Sequence, residues 1–511
     1  MHTLSSEDLC LDAEWSRIAR ASTIELVKSN AQRRVYRLTH SSGVYYVKQH
    51  IRRGFVSWLH DRALGDPARR EFEAGKYAEA HDVPTVTMEA WTTQQLSGGR
   101  RAAVLITREE RDVQGLAPSW EIAQNVGHGR GAERQLGTAL VALIARAHDA
   151  AFLHPDNHPG NILVRGAGTV DPQCIYVDLY GVRLRRPVND SDAARNLAAL
   201  AMWFMRRATR TQRLRFLKAY AGQRRRWSSA QALRTFARQI DRAWARHARR
   251  LFAQRDRRIG RRNAFFDRQT AEDGALVVAT RRFRDLPQML DLPAPDAPDA
   301  SASPVAEAIL AAPDTSETYF AQSRFTGWAW RIAGSPAWRK YRSACLLMNR
   351  DIPTVVPLAC RWTLARGAIS QCGWRRLRPP DAAALREWLD VLAGRQRADL
   401  LERVGRLVAD TLLRGAVVQD PTLLTLEVAG VLRGDPRVYW AGVQVSAVSV
   451  PAPRHAQQWM LSVLAQASAN DAAVTRADRA RVLRTYCRRL GPTQAPGGWR
   501  SFWRSIAAAS G

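Results

Sequence analysis

Residues 152–164, Phe-Leu-His-Pro-Asp-Asn-His-Pro-Gly-Asn-Ile-Leu-Val, set His154, Asp156 and Asn161 in the spacing H-x-D-x-x-x-x-N. An apolar run, Cys174 to Val177, then ends on Asp178, which opens a D-x-x-G with Gly181. These residue types at these spacings suit phosphoryl transfer. A transferring phosphoryl group is nearly all charge, so its chemistry consists of positioning and electrostatic stabilisation. Asp156, with His154 beside it, is the candidate to orient and deprotonate a hydroxyl. Asn161 offers an amide oxygen to a metal from the same short loop. Asp178 arrives from a neighbouring strand and completes a set of hard oxygen ligands for Mg2+. Ordinary turn chemistry between two apolar segments explains any one of these residues. It explains poorly four in order, flanked by Ile162–Val164 and Ile175–Val177.

Such a site needs a cation on the phosphates and a carboxylate to hold that cation. Val44-Tyr45-Tyr46-Val47-Lys48 is a run of strand formers closing on a lysine. Five of the 77 basic residues are lysine, so this chain writes its surface charge with arginine and Lys48 stands apart from it. A strand-end lysine that merely snorkels to solvent is the plain alternative. Downstream, the stretch from Pro67 to Tyr77 opens with proline and carries acids in its early turns, as a helix start should. Glu71 is the first candidate partner for Lys48, and Glu73 the second. The loop that should cover the phosphates lies between Leu26 and Leu38 and contains no glycine. Without glycine a backbone approaches phosphates less freely, so Ser29 and Asn30, with Arg33 and Arg34, are the side chains placed to substitute. Past Asp178, Asn196 falls where a bracing carboxylate is expected.

Together these residues resemble the lipopolysaccharide core kinases, the Kdo and heptose kinase family. The likeness is carried by "DPARREFEAGKYAEAHDVP" from Asp66, by the catalytic loop with Asp178, and by the basic helix ending "RRLFAQRDRRIGRRNAFFD", and covers about residues 20–270. It implies an ATP- and Mg2+-dependent kinase of bacterial envelope sugars with an α+β, protein-kinase-like bilobal fold: a small antiparallel-sheet lobe and a helical lobe. It implies Asp156 as catalytic base, Asn161 and Asp178 as Mg2+ ligands, Lys48 as the phosphate-binding lysine and Glu71 as its partner.

At 511 residues the chain exceeds one ordinary core. A net charge of +30 calls for anionic partners: a phosphorylated sugar or anionic glycolipid acceptor, an anionic membrane surface, or nucleic acid. Nucleic acid is the weakest of these, since neither zinc-finger spacing nor the stacking aromatics of an RNA-binding sheet can be found. Six scattered cysteines without a Cys-x-x-Cys pair fit reduced, cytosolic thiols. The N-terminus lacks the pattern of a signal peptide, and no apolar run approaches the ~18 residues of a spanning helix. Membrane contact is therefore expected to be peripheral, at the cytoplasmic face. The arginine-rich stretch 206–262 carries Leu233, Phe236, Ile240, Trp244 and Leu251 at helical spacing. It is either a face for anionic headgroups or a solvated helical surface. Residues 50–62, mixing Trp, Phe and Arg, are a second candidate for membrane contact or for packing.

The first half of the chain recurs in the second. Residues 67–90 align without a gap on 336–359, with Pro67/Pro336, Arg70/Arg339, Asp82/Asp351, Pro84/Pro353 and Thr85/Thr354 coincident. "TRTQRLRFLKAY" at 209–220 matches "TRADRARVLRTY" at 475–486. The two offsets differ by three residues, which points to colinear duplication. The expected organisation is an N-terminal extension (1–19), a kinase-like domain (20–285), a Pro/Ala/Asp-rich linker (286–317) and a degenerate second copy (318–511). Across the repeat Glu71 falls on Lys340, His154 on Val418 and Asn161 on Thr425, and Asp420 alone keeps the place of Asp156. Ala441 is read opposite Asp178. Lys48 has no clear counterpart, and Arg331, the nearest candidate, would repel Lys340 by up to ~4 kcal/mol at ~4 Å and an effective dielectric of ~20. The second copy reads as a pseudokinase.

Two other functions are carried beside the leading one. His158–Val164 also resembles aminoglycoside-type phosphotransferases, which implies a small-molecule or protein kinase. A non-catalytic scaffold, with both copies binding partners, is the alternative of another class.

Overall fold

Alternating apolar and polar residues from 33 to 52 pair as antiparallel strands, β2 (Arg33–His40) and β3 (Gly43–Arg52). With β1 (Thr23–Ser29), β4 (Met88–Leu96) and β5 (Arg100–Arg108) they form a five-stranded antiparallel sheet in the order β1-β2-β3-β5-β4. Tyr36, Leu38, Tyr45, Val47, Val104 and Ile106 pack into one buried cluster with Leu9, Leu11, Trp15 and Ala19. Trp15 sits on α1 (Ala13–Arg20) and meets the Tyr45 ring edge-on at 5.0 Å. Leu9, Leu11, Trp15 and Ala19 are therefore not part of a detached extension: they complete the core of the first sheet, whose apolar face needs a cover.

The helix α2 (Pro67–Ala80) begins where expected, because the Asp66 side chain accepts hydrogen bonds from the Ala68 and Arg69 amides and Pro67 takes the first turn. Ala68, Glu71, Ala74, Gly75 and Ala78 form its buried stripe. A Cβ on Gly75 would lie 2.2 Å from the Met88 side chain, so glycine is what lets α2 approach β4 this closely. That approach delivers Glu71 towards the sheet.

The computed structural model describes residues 9, 11–29, 33–52, 65–96, 100–125, 130–271, 274–280, 314–379, 381–431, 434–491 and 498–509. The chain divides into two compact units, Met1–Trp244 and Ala245–Gly511. In the first, the sheet is followed by β6 (Val113–Gly115), α3 (Leu116–Asn125), α4 (Arg130–Asp149), β7 (Ile162–Arg165), β8 (Gln173–Tyr176), α5 (Asp190–Arg207) and α6 (Arg210–Gln223). Strands β6, β7 and β8 form a small antiparallel sheet beside the helices. This is the α+β layout expected of a kinase-like fold. The basic stretch contains α6 and α7 (Ala230–Asp256); Phe236, Ala243, Ala248 and Phe252 are buried along α7, while Arg238, Arg242, Arg246, Arg249 and Arg250 are exposed.

The second unit has its own sheet, of β9 (Phe266–Thr270), β10 (Leu276–Thr280), β11 (Asp314–Phe320), β12 (Val356–Ala365) and β13 (Ala368–Leu377), in the order β11-β13-β12-β10-β9. Two expected boundaries shift as a result. Strands β9 and β10, placed with the first domain by sequence, join the sheet of the second unit, and the division falls near 244 rather than 285. Residues 314–317, expected as linker, belong to β11; residues 286–313 lie outside the described residues. Then follow α8 (Arg324–Ala333), α9 (Pro336–Asn349), β14 (Ala383–Ala384), α10 (Leu385–Val391), α11 (Gly394–Leu413), β15 (Ala416–Val418), β16 (Leu426–Ala429), β17 (Arg437–Trp440), β18 (Val445–Ala447), α12 (Arg454–Ala469), α13 (Arg476–Leu490) and α14 (Gly498–Ala509).

Backbone pairings within each unit define which positions correspond. Lys48 pairs with Leu105 between β3 and β5; Glu317 pairs with Trp374 between β11 and β13. A parallel bridge joins Thr85 to Tyr176, and another joins Thr354 to Trp440. The Val177 amide donates to the Asn161 carbonyl at 3.0 Å, and the Ala441 amide to the Thr425 carbonyl at 2.9 Å. Thr209 and Thr475 each cap a helix with a capping box. The sheets differ at their edges. The β1–β2 hairpin flanks β3, whereas the β9–β10 hairpin flanks β12, which leaves β11 at an edge among the described strands.

Two expectations about the repeat change. Arg331 does not stand at the place of Lys48; it donates to the Gly367 carbonyl, and Glu317 holds that place. Ala441 corresponds to Val177, so Gly442, not Ala441, corresponds to Asp178. Both are left-handed, with φ of 55° at Asp178 and 66° at Gly442.

Candidate active site

Three elements of the first unit converge on one lysine. Lys48 ends its apolar run on the face of β3 that α2 approaches, and its Nζ forms a short ion pair with Glu71 Oε1. The same Nζ lies 2.9 Å from Asp178 Oδ1, just beyond β8. Glu71 is 2% exposed, and so few solvent contacts favour a fixed pair over a roaming one. Glu73, the second candidate, is exposed and pairs with Arg69 at 2.7 Å instead. Helix periodicity explains the choice: Glu71 shares the stripe of Ala68, Ala74, Gly75 and Ala78, and Glu73 does not.

Arg33 at the start of β2 reaches Asp178 Oδ2 at 3.2 Å. Burial alone would raise the Asp178 carboxyl, but Lys48 and Arg33 outweigh it and hold the group well below the usual carboxylate range. Of the other side chains read as substitutes for glycine, Ser29 closes β1 opposite Arg34 and is exposed. Asn30 lies outside the described residues, as do residues 53–62 of the aromatic and basic segment.

The loop after α4 presents Asp156 to solvent, with its carboxylate 3.3 Å from His158 Nε2. His158 pulls the Asp156 carboxyl down against a smaller opposing effect of burial, so it is ionised near neutrality. Asn161 turns back on the same loop; its Nδ2 donates to the Asp156 carbonyl at 2.9 Å. With its nitrogen so committed, Oδ1 is the atom left to face a cation. His154 differs from expectation in its placement: it is 1% exposed, stacks on Tyr176, and hydrogen-bonds the Val177 carbonyl through Nε2 at 3.2 Å. Burial lowers its pKa, so it stays neutral and ties the loop to the end of β8 rather than facing a substrate.

A polar network beneath this loop was only partly visible in the sequence. Asn196 on α5, noted there in place of a carboxylate, donates through Nδ2 to the His154 carbonyl. Its Oδ1 accepts from Asn157 Nδ2 at 2.8 Å and from His148 Nε2 at 3.0 Å. His148 Nδ1 then accepts from the Tyr220 hydroxyl at 2.7 Å. The tautomer follows from these partners. Burial, then the Arg224 guanidinium, brings the His148 pKa down to about 3, so the imidazole is neutral. A carboxylate beside it would draw in a second charge; an amide braces the loop with none. His148 itself gave no sequence signal, since a histidine in the last turn of a helix usually interacts with the helix terminus.

Among the described residues no group of three or more His, Cys, Asp or Glu side chains could hold a metal. Asn161 and Asp178 supply one amide oxygen and one carboxylate, which fits Mg2+: that ion takes one or two protein ligands and fills its octahedron with phosphate oxygens and water.

The frame is kinase-like, and the protein is a phosphotransferase with a hydroxyl acceptor. Residues 20–220 match the model of the Lipopolysaccharide kinase (Kdo/WaaP) family. A solved structure of WaaP in complex with acyl carrier protein is similar over 45% of this chain and 92% of its own, at 21% identity and a TM-score of 0.35. No curated protein matches the chain significantly.

Proposed function

We propose that the first unit transfers the γ-phosphoryl group of ATP, with Mg2+, to a sugar hydroxyl of lipopolysaccharide core or a related envelope glycolipid. The observation that carries this reading is the convergence of Lys48, Glu71 and Asp178 beside the loop of Asp156 and Asn161. Asp156 accepts the acceptor's hydroxyl proton and orients its oxygen. Lys48, held by Glu71, binds the donor phosphates, and Arg33 adds a guanidinium beside the loop that lacks glycine. Asn161 Oδ1 and Asp178 hold Mg2+, which when bound neutralises charge building on the phosphate oxygens. To ligate it, Asp178 exchanges Arg33 for the ion. The strongly acidic Asp178 carboxyl favours this, because the group never needs to lose a proton.

The second unit is proposed to be a degenerate kinase-like copy. Its support is the shared backbone pairings, with Thr425 at the place of Asn161 and Gly442 at that of Asp178. No helix among the described residues is long and apolar enough to cross a membrane. The surplus of positive charge favours work on an anionic lipid surface at the cytoplasmic face, where ATP is available.

Purified core glycolipid and γ-labelled ATP test the reading directly. Transfer of label is expected, and Asp156→Asn and Asp178→Ala should each abolish it. Unchanged turnover in either variant ends the assignment. Label passing only to aminoglycosides or to protein would replace the acceptor class.

A further inference from the structure

The helical part of the second unit contains an apolar pocket of about 260 Å3, walled by α10, α11, α12 and α13 with Trp503 of α14. At the same place in its fold the first unit carries aromatic rings, as can be read residue by residue. There Trp120 on α3 and Phe204 on α5 meet edge-to-face at 5.0 Å, and Trp203 stands against Phe204 at 4.8 Å. The strand pairings Gly115↔Leu163 and Ala384↔Glu427 put α3 and α10 in register, so Leu389 corresponds to Trp120. The first-turn bonds Ala193 N to Asn189 O and Gln457 N to Pro453 O do the same for α5 and α12, so Ser468 corresponds to Phe204. Leu389 and Ser468 both line the pocket. Where the first unit has two aromatic rings, the second has a leucine and a serine beside an open volume.

An unfilled apolar void destabilises the domain around it, since its lining atoms forgo contacts. A second substitution shows what could occupy this one. The capping boxes at Thr209 and Thr475 place Arg479 at the position of Arg213. Arg213 NH1 donates to the Met205 carbonyl at 3.0 Å. Arg479 lines the pocket, and its Nε is buried without a hydrogen-bond partner among the described residues. Asp478, also in the lining, is already committed to Arg397 and Thr475. The pocket thus joins aliphatic walls from Leu461, Leu464 and Val482 to a guanidinium N–H that lacks an acceptor.

We infer that this pocket binds a free fatty acid, its alkyl chain between Leu389, Leu461, Leu464 and Ser468 and its carboxylate on Arg479. The volume lies just below the usual ligand-pocket range of roughly 300–1,000 Å3, which suits one unbranched chain better than a fused-ring compound. An unpaired donor of a cation at the end of an aliphatic space selects an anionic amphiphile over a neutral one.

The test uses the delipidated full-length protein and calorimetric titration with saturated fatty acids of increasing length. Saturable one-to-one binding is expected, tightening about fourfold per added CH2 until the pocket is full and then levelling off. Arg479→Ala should weaken the acid about tenfold and leave the fatty alcohol of equal length unchanged. Leu389→Trp with Ser468→Phe, which restores the two rings, should abolish binding while the melting temperature holds or rises. Ser468→Leu alone, a milder filling, should shorten the longest chain accepted. Affinity independent of chain length, or undiminished binding by a folded ring-restoring variant, overturns the inference. So does binding to anionic phospholipid vesicles with none to the free acid.

Discussion

In the first unit a strand lysine faces a helix glutamate; at the same positions of the second unit a strand glutamate faces a helix lysine. Lys48 and Glu71 are 23 residues apart, as are Glu317 and Lys340, and the second pair closes at 2.8 Å. Both units thus carry an ion pair between strand and helix, in opposite directions. Attraction across the gap is indifferent to which side carries which sign, so the fold is served by either arrangement. Phosphate binding is not. In the first unit the charge nearest the strand is positive, with the metal-binding candidate Asp178 beside it. In the second unit the strand offers a carboxylate, which repels phosphate, and Gly442 offers no ligand. Arg376 joins Glu317 at 3.0 Å, so that two cations share one acid. Burial would raise the Glu317 carboxyl, but Lys340, Tyr319 and Arg376 outweigh it and bring it down to about 2.

The polar brace under the catalytic loop divides the units in the same way. His148, Asn157 and Asn196 correspond to Leu412, Pro421 and Met460, and Leu412 and Met460 are buried at 0% exposure. In the second unit the corresponding positions are apolar. A buried polar network contributes little stability over a well-packed apolar core. Its presence only in the first unit therefore points to positioning of the loop.

Reversing the first pair is the strongest way to break this comparison. Lys48→Glu with Glu71→Lys should cut phosphoryl transfer by about 10³-fold, at the upper end of losing one electrostatic contact. The melting temperature should move by no more than about 5 °C, a change of roughly 1 kcal/mol. Unfolding of the variant, seen by circular dichroism, would show that the pair's direction matters to the fold after all.

Next in size is the brace. His148→Leu with Asn196→Met should lower turnover about 10²-fold through misplacement of the loop. The fold should survive at a cost of about 1–3 kcal/mol for the orphaned Asn157. Acid stability sharpens this. The unfolded histidine protonates below about pH 6.5, but the folded one only near about 3. The unfolded state therefore binds more protons in between, and stability falls as pH drops through that window. Denaturant melts across the window should show a shallower slope in the variant.

A smaller effect is expected from Arg33→Ala. Removing a competitor for Asp178 worth about 1 kcal/mol should lower the Mg2+ concentration for half-maximal transfer about fivefold. An unchanged Mg2+ requirement would mean that Arg33 and the metal do not share the carboxylate. Smallest is Glu317→Gln, which should cost about 1 kcal/mol and leave transfer unaltered. The wild-type contribution of Glu317 is full above its unfolded pKa of about 4.3 and is lost as pH falls towards about 2. The variant should flatten the stability profile only there.

Much of the candidate site was legible because its parts are local. The H-x-D-x-x-x-x-N loop is one turn of chain, and the capped helix that carries Glu71 announces itself through Asp66, Pro67 and its apolar stripe. Glu317 was hidden for a physical reason: Pro313-Asp314-Thr315-Ser316-Glu317 has the composition of a linker, and only pairing with β13 makes it a strand. The same holds for β10, whose partners in β12 lie more than about 80 residues further on.

The order and spacing of His154, Asp156, Asn161 and Asp178, the kinase-like class of the first half and the likeness of residues 67–90 to 336–359 were legible in the sequence alone, since each depends on residues near one another in the chain. Tertiary structure decided which glutamate meets Lys48, that His154 is buried as an anchor, and that Arg33 rests on Asp178. It also decided that the second unit's strand–helix pair runs in the opposite direction and that Leu389 and Ser468 line an apolar pocket. Each of these depends on the meeting of side chains far apart in sequence, and on volume and burial, which a string of residue types does not specify.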